Sequence, residues 1–321
     1  MTPVYHLSTF RLRPTSRVAA RIAAQVIASA LLAFFTSPLL RAQTLYWDIN
    51  GKTAGAGGAT PAGTWSTSGG ANRAWTTSSA GTLKATSNWI AAADAVFSAG
   101  TDATGAYTVT VTGTQDVSSI TVTDGSPTLS SGIINFSDPT PDILVAAGSA
   151  LVFSSALTSA SNNLNLGSAT FTGTTVFSAN TTLSGTVNLA GGTLQLSGSS
   201  YSFGTLNITG DSTIDFAGST TLNVTTFNIS TGVTLTIQNW AGAVDYFYAT
   251  NWTGATPDLS NNLNAAPMNQ VVFNGFAATD SGWDSYNNEI RPNVPEPAAY
   301  GALLLGTLTA FLAWHRRRVI A

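Results

Sequence analysis

The chain has 321 residues, of which only 8% are charged, with thirty glycines, no cysteine and a formal net charge of −3. The absence of cysteine excludes disulfide bonds and thiol chemistry, so packing and backbone hydrogen bonds must stabilise the fold. Between Gln43 and Asn293 there are four basic and fourteen acidic residues, which excludes a basic surface for nucleic-acid phosphates.

Residues 1–42 have the order of a secretory signal peptide. Four arginines (Arg11, Arg13, Arg17 and Arg21) come first, the apolar stretch Ile22–Leu40 follows, and after Arg41 the small residue Ala42 precedes Gln43. This order predicts a signal helix, export through the Sec translocon, and cleavage between Ala42 and Gln43. An N-terminal anchor that is never cleaved is the alternative, and it also places the body of the protein outside the cytoplasm.

Residues 43–104 are rich in tryptophan and form the predicted N-terminal cap of the body. Residues 105–239 consist of short apolar runs that alternate with Ser, Thr and Asn, and Gly-containing turns separate them. Alternation with a period of two is typical of strands with one buried face, and no stretch here keeps a helical period. The body is therefore predicted to be all-β.

The spacing of the strands indicates how they are arranged. Apolar positions recur about every twenty residues in two interleaved series, Val187, Leu206 and Phe227, and Leu194, Ile214 and Val233. An even repeat of this length predicts a right-handed parallel β-helix, a solenoid in which each turn pairs with the next. A β-sandwich also has short strands and polar turns, and it is the alternative fold.

Residues 240–293 contain nine aromatic side chains and form the predicted C-terminal cap. Packing over the open end of the solenoid is one role for Trp and Tyr here, because an uncovered end exposes apolar core and unpaired strand edges. Stacking against sugar rings is the other role, and it would make the protein a carbohydrate-binding module.

Residues 294–321 carry the most specific signal in the chain. Val294, Pro295, Glu296 and Pro297 precede Ala298–Trp314, a run of seventeen residues without charge, and the basic cluster Arg316, Arg317 and Arg318 comes next. The run is long enough to cross a bilayer as a helix, and the arginines would hold its end on the cytoplasmic side. This order predicts a transmembrane helix at 298–314, which spans the inner membrane transiently if the tail is removed and permanently if it is a plain anchor.

The C-terminal segment resembles the PEP-CTERM sorting domain. The resemblance implies recognition by an exosortase-type membrane protease or transpeptidase, cleavage near the Pro-Glu-Pro motif, and transfer to the cell surface or matrix. The stretch Gly191–Gly198 resembles the autotransporter-associated β-strand repeat of exported β-helices. Leu45–Gly51 resembles the opening segment of PEP-CTERM proteins that carry such repeats.

Few residues in the body are suited to catalysis. Asp211 and Asp215 are the closest acidic pair in the predicted solenoid, and a glycosidase needs two carboxylates roughly 5–10 Å apart. Corner and turn roles explain the same two residues more simply. Residues 105–239 contain no Lys, Arg or His, and both histidines of the chain lie in its terminal segments, which excludes a lyase base on the solenoid and a Ser-His-Asp set.

The body lacks the usual ligands of a metal or cofactor. Zinc sites of His and Cys are excluded, and Asp138 and Asp142, the best oxygen ligands for calcium, are read more simply as turn residues. We therefore assign no catalytic residue, no metal and no cofactor. The sequence predicts a non-enzymatic surface or matrix protein of extracellular polysaccharide, such as a biofilm. A carbohydrate-binding module and a carboxylate-based glycoside hydrolase are the alternatives.

Overall fold

The computed structural model of the protein describes residues 42–67, 73–82, 87–252, 267–277, 280–284 and 286–292. All of them belong to one compact unit, residues 42–321. The predicted signal helix at 22–40 and the predicted transmembrane helix at 298–314 lie outside the described residues. Among the residues that are described, no helix has the length and apolarity needed to cross a membrane.

The described residues are almost entirely strand and turn, as the two-residue alternation predicts. The first eight strands are β1 (Thr44–Trp47), β2 (Gly63–Trp65), β3 (Trp75–Thr76), β4 (Ala93–Phe97), β5 (Ala106–Val111), β6 (Thr114–Val122), β7 (Ser126–Ser130) and β8 (Ile133–Phe136). The next eight are β9 (Asp142–Val145), β10 (Ala150–Phe153), β11 (Ala156–Ser159), β12 (Leu164–Leu166), β13 (Thr174–Phe177), β14 (Thr181–Leu189), β15 (Gly192–Leu196) and β16 (Ser200–Ile208). The remaining elements are β17 (Ser212–Phe216), β18 (Thr221–Ile229), β19 (Leu235–Gln238), β20 (Tyr246–Trp252), a 3-10 turn (Met268–Gln270), β21 (Val271–Phe273), β22 (Ser281–Asp284) and β23 (Glu289–Pro292).

These strands form two sheets that run side by side along a parallel solenoid of about seven turns. Sheet A follows the order β22-β23-β20-β18-β16-β14-β12-β9-β6-β4-β1-β3, with β8 paired to β6 and β11 paired to β8. Sheet B follows the order β2-β5-β7-β10-β13-β15-β17-β19-β21. The predicted parallel solenoid is confirmed. The β-sandwich alternative is wrong, because between β4 and β21 no two strands that are consecutive in sequence pair with each other, and strands pair in parallel with their counterparts one turn away.

The long strands of sheet A bend in the middle. In β16, Tyr201 and Phe203 are buried, Gly204 and Thr205 are both partly exposed, and Leu206 and Ile208 are buried again. Gly204 and Thr205 interrupt the alternation of buried and exposed residues, because neither residue of this pair enters the core. The strand therefore bends here, and the residues on either side of the bend face the core from different directions. Strand β14 has the same pattern, and its pairing with β16 shifts register between Leu183 and Thr186. Sheet A therefore provides two sides of each turn and sheet B the third.

The core is built from apolar columns that run along the solenoid. Val187 pairs with Leu206, and Leu206 with Phe227, as the first twenty-residue series predicts. In the second series Leu194 pairs with Ile214, but Ile214 pairs with Ile237 and not with the predicted Val233. Ile237 follows Ile214 by 23 residues, three more than the 20 that separate Leu194 from Ile214, and the longer turn displaces the next strand along the sequence.

A cluster of aromatic rings fills the N-terminal end of the core. Trp47, Trp65, Trp75 and Phe97 are fully buried, Trp89 is 3% exposed, and their ring centroids lie 4.6–5.8 Å apart. Most pairs meet edge to face, the arrangement that the charge distribution of aromatic rings favours. Strand β1 pairs in parallel with β4 and antiparallel with β3, so parallel pairing begins before residue 105.

Parallel pairing also continues beyond residue 239. Strand β20 extends sheet A from β18, and β21 extends sheet B from β19. Strand β23 then pairs antiparallel with β20, and β22 pairs antiparallel with β23. Trp240 packs between Phe216 and Phe273 with ring centroids 5.1 Å from each. The predicted cap residues at this end thus combine two further solenoid strands with a terminal hairpin.

Candidate functional site

The outer face of sheet A carries a ladder of amide side chains. Each Asn donates from Nδ2 to an oxygen of the residue one turn earlier, at 2.7–2.9 Å, and the ladder runs through Asp142, Asn165, Asn188, Asn207 and Asn228. Parallel strands in register place identical side chains about 4.8 Å apart, which suits an amide-to-amide hydrogen bond. The ladder spans five turns and leaves its amides engaged with each other.

The outer face of sheet B carries a column of threonines. Thr174, Thr193, Thr213 and Thr236 occupy the same register position on β13, β15, β17 and β19, and all four are half-buried. The neighbouring outward column contains Val176, Gln195, Asp215 and Gln238. A strand spacing of about 4.8 Å therefore repeats the same hydroxyl four times along the solenoid.

A shallow, open groove of about 410 Å³ follows this threonine column. It is lined by Thr172, Gly192, Thr193, Asp211, Ser212, Thr213, Thr234 and Thr236. Hydroxyl groups both donate and accept hydrogen bonds, and one carboxylate stands among them. Such a surface can exchange hydrogen bonds with a polyhydroxylated ligand, and we take the groove as the candidate functional site.

Asp211 borders this groove from the turn before β17. Its side chain is exposed, and its Oδ1 accepts the N–H of Thr234 at 2.8 Å. This contact joins two successive turns of the solenoid at a corner. One oxygen of the Asp211 carboxylate therefore accepts a hydrogen bond that stabilises the fold, and the carboxylate still lines the groove.

Asp215 lies in a different environment although only four residues separate it from Asp211. It is 9% exposed, its Oδ2 accepts from Gln195 Nε2 at 2.9 Å, and its Oδ1 accepts from Asn239 Nδ2 at 2.6 Å. Both oxygens are therefore occupied by neighbouring turns, and Asp215 does not line the groove. The structure does not bring the two carboxylates together around one ligand position.

Asp138 and Asp142 are also engaged in local contacts. Asp138 Oδ1 accepts the N–H of Thr140 at 2.8 Å, and Asp142 starts the amide ladder by accepting from Asn165. Across the described ranges, no group of three or more His, Cys, Asp or Glu side chains is placed to hold a metal ion. These contacts are those of turn and ladder residues.

The aromatic side chains differ sharply in their exposure. The four tryptophans of the N-terminal cluster are buried in the core and are not accessible to a sugar ring. On β20, Tyr246 and Tyr248 are half-buried and stack with their rings 5.7 Å apart and nearly parallel. Tyr286 is 92% exposed. Among the described residues, the C-terminal end of the body thus carries the stacked tyrosine pair and the exposed Tyr286.

A charged cluster accompanies the tyrosines at this end. Arg291 Nη2 donates to Asp284 Oδ2 at 3.1 Å, and its Nε lies 3.9 Å from Glu289 Oε2. Burial raises the pKa of Glu289, with Arg291 opposing this effect. Burial would also raise the pKa of Asp284, but the N–H of Tyr286, the amide of Asn287 and Arg291 together lower it.

The residues of the predicted processing sites lie mainly outside the described residues. Val294, Pro295, Glu296 and Pro297 and the cluster Arg316, Arg317 and Arg318 are among these. Ala42 and Gln43 are described, and they immediately precede β1. The carbonyl of Gln43 accepts the N–H of Asp94 at 2.9 Å, so the first hydrogen bond to the solenoid forms at the residue after the predicted cleavage point.

Sequence reasoning did not single out the threonine column or the amide ladder. The sequence contains a pattern that indicates the amide ladder, because Asn188, Asn207 and Asn228 recur with the same twenty-residue spacing as the apolar series.

Comparisons with known proteins add no assignment. No protein-family model matches the chain, and no curated protein or solved structure is detectably similar to it.

Proposed function

We propose that this chain is an exported, non-enzymatic β-solenoid of the cell surface or extracellular matrix, with a structural or adhesive role in exopolysaccharide. The observation that carries the proposal is the outer face of sheet B, where four turns present the same threonine hydroxyl beside a shallow groove. The β-solenoid fold is compatible with such a role, and the amide ladder makes the body a rigid support for this surface.

The chemistry of the groove favours a neutral or weakly basic polysaccharide over other ligands. Its hydroxyls and the Asp211 carboxylate offer donors and acceptors to sugar hydroxyls, and no Lys or Arg lines it. A polymer of similar units can contact several turns at once, and many weak contacts then add up to useful affinity. The same lining gives no reason to expect binding of phosphate groups or nucleic acid.

The side chains of the groove also favour binding over hydrolysis. Hydrolysis of a glycosidic bond requires two carboxylates on either side of that bond. Asp211 is the one carboxylate that lines the groove, and Asp215 is held by Gln195 and Asn239. A glycoside hydrolase therefore remains the weaker alternative for this surface.

The proposed route of export to the cell surface is based on the two terminal segments, residues 1–42 and 294–321. We propose that the Sec translocon exports the chain, that the signal peptide is removed after Ala42, and that an exosortase-type enzyme recognises Val294–Pro297 while the 298–314 segment lies in the inner membrane. This part of the proposal rests on the order of residues in the sequence and on the likeness to PEP-CTERM sorting domains.

Polysaccharide binding can be tested with two matched variants of the full chain. Thr193→Val with Thr213→Val removes two hydroxyls from the groove while keeping side-chain shape and β propensity. Thr205→Val with Thr226→Val makes the same change on sheet A, outside the groove. We expect the groove variant to lose at least fivefold in co-sedimentation with exopolysaccharide from the producing cell, and the sheet A variant to bind like the wild type.

Two results would contradict this function. Equal binding by both variants, or no binding by the folded wild-type chain, would remove the adhesive role from the groove. Release of reducing sugars from the polysaccharide, abolished in Asp211→Asn, would replace the binding role with the hydrolase alternative.

A further inference from the structure

The turns that form the groove of sheet B are almost free of charge. Between residues 143 and 244 the sequence contains two charged side chains, Asp211 and Asp215, and both are negative. Asp211 directly precedes β17 and Asp215 lies within it, so both belong to one turn of the solenoid. The ion pairs among the described residues are made by Arg291, so no described cation pairs with either aspartate. The charge of this long stretch is therefore concentrated at the groove.

Asp211 carries its charge at the groove with one oxygen available to a ligand. Its Oδ1 accepts the N–H of Thr234 at 2.8 Å, which fixes the carboxylate to the next turn. Within the described part of the chain no group donates to Oδ2, and the residue is exposed. An ionised carboxylate is only an acceptor. A ligand that reaches Oδ2 must therefore bring a hydrogen-bond donor.

Asp215 adds negative potential without lining the groove. It lies on the outward side of β17 two residues after Thr213, a separation of about 7 Å along an extended strand. Its carboxylate accepts from the amides of Gln195 and Asn239, which hold it in place and carry no charge. A charge at this distance still acts on a ligand in the groove, because salt screens charges over about 8–10 Å.

These features distinguish between the kinds of sugar that the groove can accept. An ammonium group brings three donors and a positive charge, and its hydrogen bond to a carboxylate is about twice as strong as a bond between neutral groups. A neutral sugar offers Asp211 a hydroxyl or amide donor without the charge. An acidic sugar would place its own carboxylate beside Asp211, and no basic side chain lines the groove to compensate.

We propose that the ligand of this groove is an amino polysaccharide with free ammonium groups, and that Asp211 Oδ2 selects it over neutral and acidic polymers. The inference rests on the proposed polysaccharide binding, and it adds the class of polymer and a specificity-determining residue. The polymer lies along the threonine column, so one ammonium group contacts Asp211 while neighbouring units contact Thr193, Thr213 and Thr236. The excess of fourteen acidic over four basic residues between Gln43 and Asn293 also attracts a cationic polymer.

Calorimetric titration with two oligosaccharides of the same backbone tests this preference on the full chain, purified in mild detergent. The probes are a β-1,4-linked glucosamine oligomer with free amines and the same oligomer fully N-acetylated, at a mildly acidic pH that protonates the amines. We expect the oligomer with free amines to bind about fivefold more tightly, which is the effect of one exposed ion pair. High salt should reduce this preference, because it screens the charges. An oligomer of galacturonic acid should bind more weakly than either.

Matched variants locate the preference at Asp211. Asp211→Asn removes the charge and keeps an Oδ1 acceptor for the N–H of Thr234, so we expect this variant to bind the two glucosamine oligomers equally. Asp138→Asn makes the same change at a turn outside the groove and should keep the wild-type preference. If Asp211→Asn does not fold, the salt dependence of the wild-type preference decides.

The outcomes separate this inference from the proposed function. Binding of the N-acetylated oligomer as tightly as the free amine, or a preference that persists in Asp211→Asn, overturns the inference and leaves polysaccharide binding intact. A preference that Asp138→Asn loses equally also overturns it, because net charge would then be the cause. Binding of neither glucosamine oligomer overturns the inference as well, and co-sedimentation with exopolysaccharide then decides whether the proposed function stands.

Discussion

At the scale of single residues, the solenoid satisfies polar side chains by repeating them. Asn188 donates to Asn165 and accepts from Asn207, so an amide inside the ladder uses both ends of its side chain. An amide is required for this, because it carries a donor and an acceptor on one planar group. A residue with only one of these functions breaks the ladder at its own turn.

Replacing Asn188 with Asp tests the ladder. Asn188→Asp removes the donor and places a carboxylate oxygen against Asn165 Oδ1, so we expect a loss of about 1–2 kcal/mol in the free energy of unfolding at pH 7. Protonation restores a donor, so the pKa of the new carboxyl should be raised in the folded state and the loss should shrink as the pH falls below that value. Urea unfolding at pH 7 and pH 3 measures both effects.

Asn223→Asp is the control for this experiment, because Asn223 lies on the other half of β18, outside the ladder. A loss as large in Asn223→Asp as in Asn188→Asp, or a loss in Asn188→Asp that does not change with pH, would contradict the hydrogen-bonded ladder.

Asp284 makes a second residue-scale prediction, which concerns pH. Its hydrogen bonds to Tyr286, Asn287 and Arg291 outweigh burial and lower its pKa, so the folded state prefers the ionised form. The stabilisation is complete above the unfolded pKa of about 4 and is lost as the pH falls through the folded pKa. Asp284→Asn should therefore cost about 1 kcal/mol at pH 7 and progressively less between pH 4 and pH 2.

The control for Asp284 is Asp138→Asn, since the described contacts of the Asp138 carboxylate are confined to Thr140. Urea unfolding across the same pH range should show little difference between this variant and the wild type. A cost for Asp284→Asn that stays constant down to pH 2 would show that the charge of Asp284 is not what stabilises the terminal hairpin.

At the scale of elements, the bends in the sheet A strands depend on close backbone contact between turns. A Cβ on Gly204 would lie 2.0 Å from the carbonyl oxygen of Ser184 and 2.8 Å from that of Gly185. Both atoms belong to the backbone of the preceding turn, which is fixed by pairing between β14 and β16. Glycine is required at this bend because the backbones approach each other, and the same reason applies at Gly210 against Ala190.

Gly204→Ala should therefore destabilise the protein by about 2–3 kcal/mol, because the neighbouring turn must move to admit a methyl group. Gly218→Ala is the matched control: its Cβ would lie 3.7 Å from Ser197 O, an ordinary contact, and we expect a change within about 0.5 kcal/mol. Chemical denaturation of the two variants measures the difference. Equal stabilities would show that the bend does not need glycine.

Most of the strands and their pairing could be predicted from the sequence. The period of two indicates which face of a strand is buried, and the twenty-residue repeat indicates which residues lie one turn apart. The pairs Val187 with Leu206 and Leu194 with Ile214 follow from spacing alone. The displaced partner of Ile214 could not be predicted, since an insertion in a turn changes no hydrophobic pattern. The groove depends on how the turns before β17 and β19 fold, and the tryptophan cluster depends on which N-terminal strands become neighbours. A spacing of apolar residues specifies neither.

At the scale of the whole molecule, each turn contacts mainly its neighbours, so the first and last turns would expose apolar core unless other residues cover them. The N-terminal end buries four tryptophans and a phenylalanine, and β22 and β23 form a hairpin along the last sheet A strand at the C-terminal end. The handedness of the solenoid and the two terminal helices stay predictions. We propose that this body reaches the cell surface after both ends of the chain have been processed.

Mass spectrometry of the intact protein from fractions of the producing cell tests this claim most directly. We expect the protein in the surface or matrix fraction to start at Gln43, to end near Pro297 and to lack residues 298–321. Recovery of a chain that retains Ala321 in the inner membrane would contradict the sorting function and indicate a permanent anchor. Recovery of a chain that begins at Met1 in the cytoplasm would contradict export itself.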